Sequence, residues 1–448
     1  MATQLACLLI ICLGLTMCVD MLMVADHGGQ MVVDNDGQLT NLDQLYCNSA
    51  HKLQGIEGSP VPGFSLRKVH LLMTPGQSDL SATMGTTDLH LPPLTCDLDP
   101  IHTSAHLPLA KMQMAVSEHA DKGRSHPEFK SFFPTFPKQC TSHHLTPHGF
   151  HQAITIGNHL RVAYMSNRNH KKLQPLYSAI HVESVAKHDA YQSVLGVLHG
   201  MLPQKQFSKI KIHKSHRNFC DSPAVSLPSC QCAKTQELSP FISQALGSGR
   251  YAFKNSFPDV HIHSDIKLQL SNLQIYQLLM QYKCNNMTLA CDQSKLCSTL
   301  KKSSTSDFYR SAVDHQKNIY SDPMFKSYSR LKSYPFLQRL LSHSVGAARN
   351  QSMFVSMGDK FFLQYVASSL HLTEDALQPL ASRLVFEIFS KNTGPSSGSE
   401  LLFRVLYNGR DLTSNIPGCK AAMKGPLCPI DILVTIVIDL RHHFLQEC

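Results

Sequence analysis

Hydrophobic positions in this chain fall into a few runs, separated by polar stretches rich in glycine and proline. From Leu5 to Val24 the sequence is almost wholly apolar, broken at Asp20, and the first lysine is Lys52. Such a run is a secretory entry signal. Residues 1–24 are read as a cleaved signal peptide or as a retained type II anchor, although the flanking Lys or Arg expected of an anchor is missing. Residues 25–65, with Gly28, Gly29, Gly37, Gly58, Pro60, Pro62 and Gly63, read as a stem or irregular approach.

Residues 66–448 read as one domain. Val69 to Met73 is a short apolar run stopped by Thr74, Pro75 and Gly76, which predicts a buried strand ending in a loop. Thr146 and Pro147 are placed as an N-cap and first helical residue, so a helix is expected over 148–164. A second is expected over 187–202, ended by Pro203. Between about 205 and 335 the chain is rich in Lys, Ser, Cys and Gln, with a helical pattern at 268–279, and reads as an inserted helical subdomain. Arg383 to Phe389 and Leu401 to Tyr407 predict two strands of a hairpin turning through Gly394, Pro395 and Gly398; Cys428 and Pro429 open a last helix reaching Leu445. Interleaved helices and strands imply an α/β sheet with helices on both faces, its ligand lying at the carboxyl ends of the strands.

Composition excludes disorder throughout, with 43% hydrophobic and 16% charged residues. The net charge of +9 and the 26 histidines suit a polyanionic partner in an acidic compartment, or else a merely basic, soluble surface. Lys301, Lys302, Arg310, Lys317, Lys326, Arg330 and Lys332, interleaved with Tyr309, Tyr320, Tyr328 and Tyr334, are a candidate basic aromatic surface, the alternative being a solvated helical face. The pattern suggests no nucleic acid.

Of the 15 cysteines, Cys7, Cys12 and Cys18 lie in the apolar segment, and the even number that remains suits disulfides. Cys419 is expected to pair locally with Cys428, since a short loop costs little to close. Cys220, Cys230, Cys232, Cys284, Cys291 and Cys297 are expected to bridge within the inserted subdomain. The spacing of Cys220, Cys230 and Cys232 fits no zinc pair, and His261, His263 and Asp265 read as a solvated strand, so no metal is expected. Asn286 and Asn350 open N-glycan sequons.

Several local patterns then occur in a telling order. They are Leu45 to Asn48; Gly55 to Gly58; Leu145, Thr146, Gly149 and Gln152; Arg383 to Glu387; Val405 to Gly409 with Asp411; and Cys419 followed by Cys428 and Pro429. Over residues 45–448 the chain resembles the histidine acid phosphatase superfamily, above all a Golgi branch that dephosphorylates xylose in the proteoglycan linker. The resemblance implies a central mixed, mostly parallel sheet flanked by helices, with an inserted cap subdomain and no cofactor.

It also implies a site, and here the residues depart from the pattern. The superfamily signature, Arg-His-Gly-x-Arg-x-Pro after the first strand, is matched by Thr74, Pro75, Gly76, Gln77, Ser78, Asp79 and Leu80. Pro75 stands where the histidine nucleophile should be, and a proline has no lone pair to offer phosphorus. Thr74 and Ser78 replace arginines whose forked hydrogen bonds hold the phosphoryl oxygens. Asp189 stands opposite a third arginine. Gly358 and Asp359 match a His-Asp pair, so that only Asp359 remains, as a residual proton donor or a loop or helix-capping aspartate. His70 and His188 are the candidates for a substitute nucleophile. The expectation is therefore an impaired phosphatase fold of the secretory pathway that binds a glycosaminoglycan, another phosphorylated or sulfated glycan, or a secretory protein. The alternatives are a working phosphomonoesterase and a structural or interaction protein.

Overall fold

The computed structural model describes residues 41–48, 55–79, 94–97, 103–121, 126–134, 136–165, 179–216, 219, 232–248, 272–285, 287, 305–346, 352–373, 377–391 and 400–448. The apolar segment 1–24, both sequons, Cys220, Cys230, Cys291, Cys297 and the His261–Asp265 group lie outside them. In chain order come α1 (Asn41–Tyr46), β1 (Phe64–Met73), α2 (Thr103–Asp121), α3 (Pro147–Leu160), β2 (Ile180–Val185), α4 (His188–Met201), α5 (Gln204–Phe207) and β3 (Ile212–Ser215). Next are α6 (Ala233–Ser248), α7 (Asn272–Cys284), α8 (Thr305–Ser321), α9 (Pro323–Val345), β4 (Met353–Met357) and α10 (Phe362–Ser369). The chain closes with β5 (Arg383–Lys391), β6 (Leu401–Tyr407), β7 (Arg410–Asp411), α11 (Cys419–Ala422), β8 (Cys428–Pro429) and α12 (Ile430–Glu447).

The strands form one sheet in the order β3-β2-β4-β1-β5-β6-β7, with β8 also on β6. Neighbours from β3 to β1 are parallel, and β5 runs against both β1 and β6. The sheet is thus mixed and mostly parallel, as expected. Val69 to Met73 is buried throughout and occupies a central position, as a near-continuous apolar run should when both faces are covered. At α3, the Thr146 hydroxyl accepts from the Gly149 amide at 3.1 Å and Pro147 opens the helix. A π-type turn at Arg161–Met165 carries the helical path to the expected end.

Three expectations need correction. Residues 55–63 are not a loose approach, because Glu57 and Gly58 are tied to the sheet and β1 starts at Phe64, inside the supposed stem. The 205–335 stretch is not wholly an insertion: β3 is the sheet's edge strand, and the helix that begins at Pro323 runs on to Val345 and packs on the sheet. Cys419 does bond Cys428, but Cys284 bonds Cys47 and Cys232 bonds Cys448, and a further bridge joins Cys96 to Cys140. Sequence separations of 237 and 216 show why local closure misled: pairing follows tertiary proximity once the helices have docked.

Carboxylates enter the core only with partners. Arg383 Nε donates to Glu57 at 2.7 Å with both side chains almost fully enclosed. Arg404 Nε donates to Glu387 at 2.7 Å, and the same carboxylate accepts from the Tyr164 hydroxyl at 2.8 Å and the Gly58 amide at 2.7 Å. Burial pushes the Glu57 carboxyl up, yet the His159 hydrogen bond and the Arg383 charge outweigh it and hold the group down to about 2.

Under α9 lies a layer of histidines. Phe354 of β4 stacks on His70 of β1 at 4.4 Å and on His343 of α9 at 4.5 Å, while His181 of β2 stacks on His213 of β3 at 5.0 Å. The charged neighbours are Lys68 on β1, Glu183 on β2 and Arg339 on α9; Arg339 is bidentate to Glu183. His70 therefore sits mid-strand under a helix, away from the strand ends where a nucleophile is needed. Burial lowers all four imidazoles, His343 to about 4, with Arg339, His181 and Lys68 adding to the drop at His343.

Two predictions follow from this burial. The folded chain keeps these histidines neutral whereas the unfolded chain protonates them near pH 6.5, so their contribution to stability is complete above that pH and is lost as pH falls towards 4. Urea midpoints should drop between pH 7 and 5, with a shallower slope in His343→Phe; equal slopes in both proteins would discount the layer. Arg404→Met should cost about 3–5 kcal/mol by leaving Glu387 buried and unpaired, and a loss under about 1 kcal/mol in urea denaturation would show that solvent reaches the carboxylate.

Candidate functional site

The loops after β1, β2 and β4 meet at the carboxyl end of the sheet, where ligands of open α/β sheets bind. The Gly358 amide donates to the Met73 carbonyl at 2.9 Å, joining the β4 loop to β1. The Gly76 amide donates to the Ser193 hydroxyl of α4 at 2.9 Å, which draws in the helix headed by Asp189. Gly76, Asp189 and Gly358–Asp359 thus lie at the same end of the sheet.

The β1 loop is buried and its polar groups are used inside the protein. Thr74 donates its amide to the Ser382 carbonyl at 2.9 Å, and the Pro75 carbonyl accepts from Ala381 at 3.0 Å. Gln77 is 3% exposed. Its amide N–H donates to Gln152 Oε1 at 2.9 Å, its side chain donates to the Gln281 carbonyl at 3.2 Å, and it accepts from Asn285 at 3.0 Å. Buried Asp79 accepts from Gln281 at 2.9 Å. Ser78, half-buried, bridges to Leu145 through its backbone. The surviving glycine has a packing role: a Cβ at Gly76 would stand 2.6 Å from the Gly149 carbonyl oxygen, so the loop lies directly on the first turn of α3.

Helix α7 roofs this loop. Its last turn supplies Gln281, and Asn285 follows directly, donating to the Gln281 carbonyl at 2.7 Å. The Cys47–Cys284 bridge pins that end of the helix, while the Cys47 carbonyl accepts from Gln152, the residue that also holds Gln77. Loop, α3 and α7 therefore share one amide network, in which Asp79 is the one carboxylate.

Along the rim lie the remaining charges. Asp359 Oδ1 accepts from the Phe361 and Phe362 amides at 3.1 and 3.0 Å, capping α10, and its other oxygen faces Lys187 Nζ at 3.4 Å. Asp189 Oδ1 accepts from the Ala190 amide at 2.8 Å in the first turn of α4. Burial pushes its carboxyl up against the pull of Lys187, and Asp359 adds to the rise. Lys360, with its ammonium 4.8 Å over the Phe361 ring, interacts with both carboxylates. Beside them His188 packs on Phe132 at 4.2 Å and on His144 at 4.4 Å, and its imidazole is lowered by burial. Among the described residues, two ammonium groups against two carboxylates leave the rim without the surplus of positive charge that a phosphoryl group requires.

Lys187 and Lys360 were missed by sequence reasoning although each is adjacent to a residue it singled out. Nothing in the signature points to the flanking positions, and only the turn of the loops brings the two ammonium groups together. Ser193 and Gln281 carried no signal, being ordinary helical polar residues until their helices dock. The expected basic aromatic surface is not one surface: Tyr328 and Tyr334 are buried, whereas Lys317, Lys326 and Arg330 line a groove formed with α12.

No family model matches the chain. Over 409 residues it is 26% identical to mouse (Mus musculus) 2-phosphoxylose phosphatase 1, covering 88% of this chain and 82% of that protein. The human (Homo sapiens) protein of the same name is 24% identical over 409 residues, with the same coverage. The chain is thus similar to 2-phosphoxylose phosphatase through most of its length, in agreement with the resemblance read from its residues. Among solved structures, the phytase from D. castellii aligns with a TM-score of 0.49 at 12% identity, over 95% of this chain and 92% of that one. The Hafnia alvei phytase aligns with 0.46 at 13%, over 85% and 98%.

A site without surplus positive charge should not capture an oxyanion. Vanadate at millimolar concentration and pH 5 should give no binding heat in calorimetry, because hydroxyls and amides do not offset the desolvation of a charged anion. Micromolar binding would mean that Lys187 and Lys360 abandon their carboxylates for the ligand.

Proposed function

We propose that the chain is a secretory-pathway protein of the histidine acid phosphatase type, related to 2-phosphoxylose phosphatase, that has lost the phosphohistidine route and acts by binding. The observation that carries this is the β1 loop, where Pro75 stands at the nucleophile's place and the surrounding polar groups are spent on one another. Loss of a nucleophile lowers turnover by about 10⁶, and loss of one anion donor by about 10² to 10³. The effects overlap rather than add, but either would silence the family's reaction.

Four disulfides among the described residues support an oxidising compartment, and Asn286 and Asn350 are proposed as N-glycan acceptors within it. No helix among the described residues is long and apolar enough to cross a membrane.

One observation favours a second reading, a working phosphomonoesterase acting on xylose phosphate of the proteoglycan linker. Asp359 remains at the strand ends with Lys187 beside it, the positions of a proton donor and a cation. A purely structural or interaction role, the third reading, needs neither group.

A phosphatase assay separates these readings. The purified luminal chain should release no phosphate above background from a generic aryl phosphate or a phosphoxylose linker glycan at any pH from about 4 to 7, a range spanning the carboxylate and imidazole titrations. Hydrolysis abolished by Asp359→Asn would establish the second reading instead.

A further inference from the structure

A groove of about 910 Å³ opens between α8, α9, α10 and α12, sharing no residue with the strand-end loops. Its volume is within the range of small-ligand sites, roughly 300 to 1,000 Å³. Lys317, Lys326, Arg330 and Asp439 are its charged residues, so three cations face one carboxylate. Arg330 of α9 donates to Asp439 of α12 at 2.6 Å, which spans the groove and fixes the plane of the guanidinium.

Between the charges the lining is hydroxyl-rich. Ser321 donates to the Asn318 carbonyl at 2.8 Å and Thr435 to the Asp431 carbonyl at 3.0 Å. Ser369 accepts from Ser333 at 2.7 Å. With their protons turned back to their own helices, Ser321 and Thr435 present oxygen lone pairs to a ligand. Tyr320, Ile432 and Ile436 add half-buried apolar surface.

This combination selects a ligand class. Cations call for sulfate or carboxylate groups, accepting hydroxyls call for ligand hydroxyls, and the apolar patches suit the C–H faces of sugar rings. A nucleic acid would call for several exposed aromatic platforms, and the groove has one half-buried tyrosine. We propose that the groove between α8, α9 and α12 binds an acidic oligosaccharide, a short run of sulfated or carboxylated sugars. The inference names a ligand for the binding function proposed above, yet does not depend on whether the strand-end site is inactive.

The test measures affinity of the full luminal chain for a size-defined heparin tetrasaccharide, with Lys326→Glu as the variant and Lys424→Glu as a remote control of equal charge change. Lys424 pairs with Glu400, and neither lines the groove. Lys326→Glu should weaken binding about tenfold or more, the scale of one charge-assisted hydrogen bond, while Lys424→Glu changes it less than about twofold as screening dictates. Binding should also weaken steeply as salt is added. An equal loss in both variants would show that only net charge matters, and no loss in either would place the sugar elsewhere; both overturn the proposal. Equal affinity for a glutamate peptide would do so too, because the hydroxyl lining would then contribute nothing. Unchanged thermal midpoints confirm that the variants fold, and Arg330→Gln supplies a second reading if Lys326→Glu does not.

Discussion

Charge pairing inside an apolar core is the constraint on which this molecule rests. Glu57, Glu183 and Glu387 are all buried, and each faces a buried guanidinium: Arg383, Arg339 and Arg404. A buried carboxylate without its partner is far costlier than the pair is stabilising, so these contacts act chiefly by forbidding alternatives. Glu57 can reach Arg383 Nε only if residues 55–63 lie against β5. Glu183 can meet Arg339 only if α9 covers β2, which closes the histidine layer beneath it. Glu387 fixes β6 through Arg404 and at the same time receives Gly58 and Tyr164. The path of the chain before β1, the cover of the sheet and its antiparallel half are thus set by three matched pairs.

The same physics applies in reverse at the strand ends. A phosphatase site concentrates cations whose mutual repulsion is relieved only by a bound anion. In this chain the loop after β1 carries no cation between Thr74 and Asp79, and its glutamine and asparagine groups, Ser193 and the Asp79 carboxylate satisfy one another without any ligand. Such a network prefers to exclude water, and α7 closes over it, held by Gln281 and the Cys47–Cys284 bridge. On the rim, Lys187 and Lys360 are neutralised by Asp189 and Asp359, so even the charged part of the site is complete in itself.

How much of this could be read from sequence depended on the range of the interaction. β1, α3, α4, β5, β6 and α12 were legible because each carries a local cause: an apolar run, a Thr-Pro start, a proline stop or a hairpin pattern. The docked segment around Glu57 was not, since a glycine- and proline-rich stretch looks irregular until a buried arginine is known to await its one carboxylate. His70 illustrates the limit of an assignment by strand alone. The strand was right, but register decides whether a side chain reaches the end of the sheet or lies beneath a helix, and register is set by the partners on both sides. The resemblance singled out Thr74, Pro75, Ser78 and Asp189 one by one, whereas Lys187, Lys360, Ser193 and Gln281 enter only by assembly, once the loops and helices have docked.

That contrast explains how a chain so far from the superfamily's signature can keep its sheet. The groups that hold the strand ends together are the Gly358 amide on the Met73 carbonyl, the Gly76–Gly149 backbone approach and the cap that Asp359 gives α10. Two are backbone contacts and the third is a side-chain cap on backbone amides, and none needs a nucleophile or a surplus of cations. In a working site the catalytic charges are a strain on the fold, tolerated for function. The contacts described above do not depend on such charges. Gly76 and Asp359 each have a place in those contacts, the one through its approach to Gly149 and the other through the amides at the start of α10.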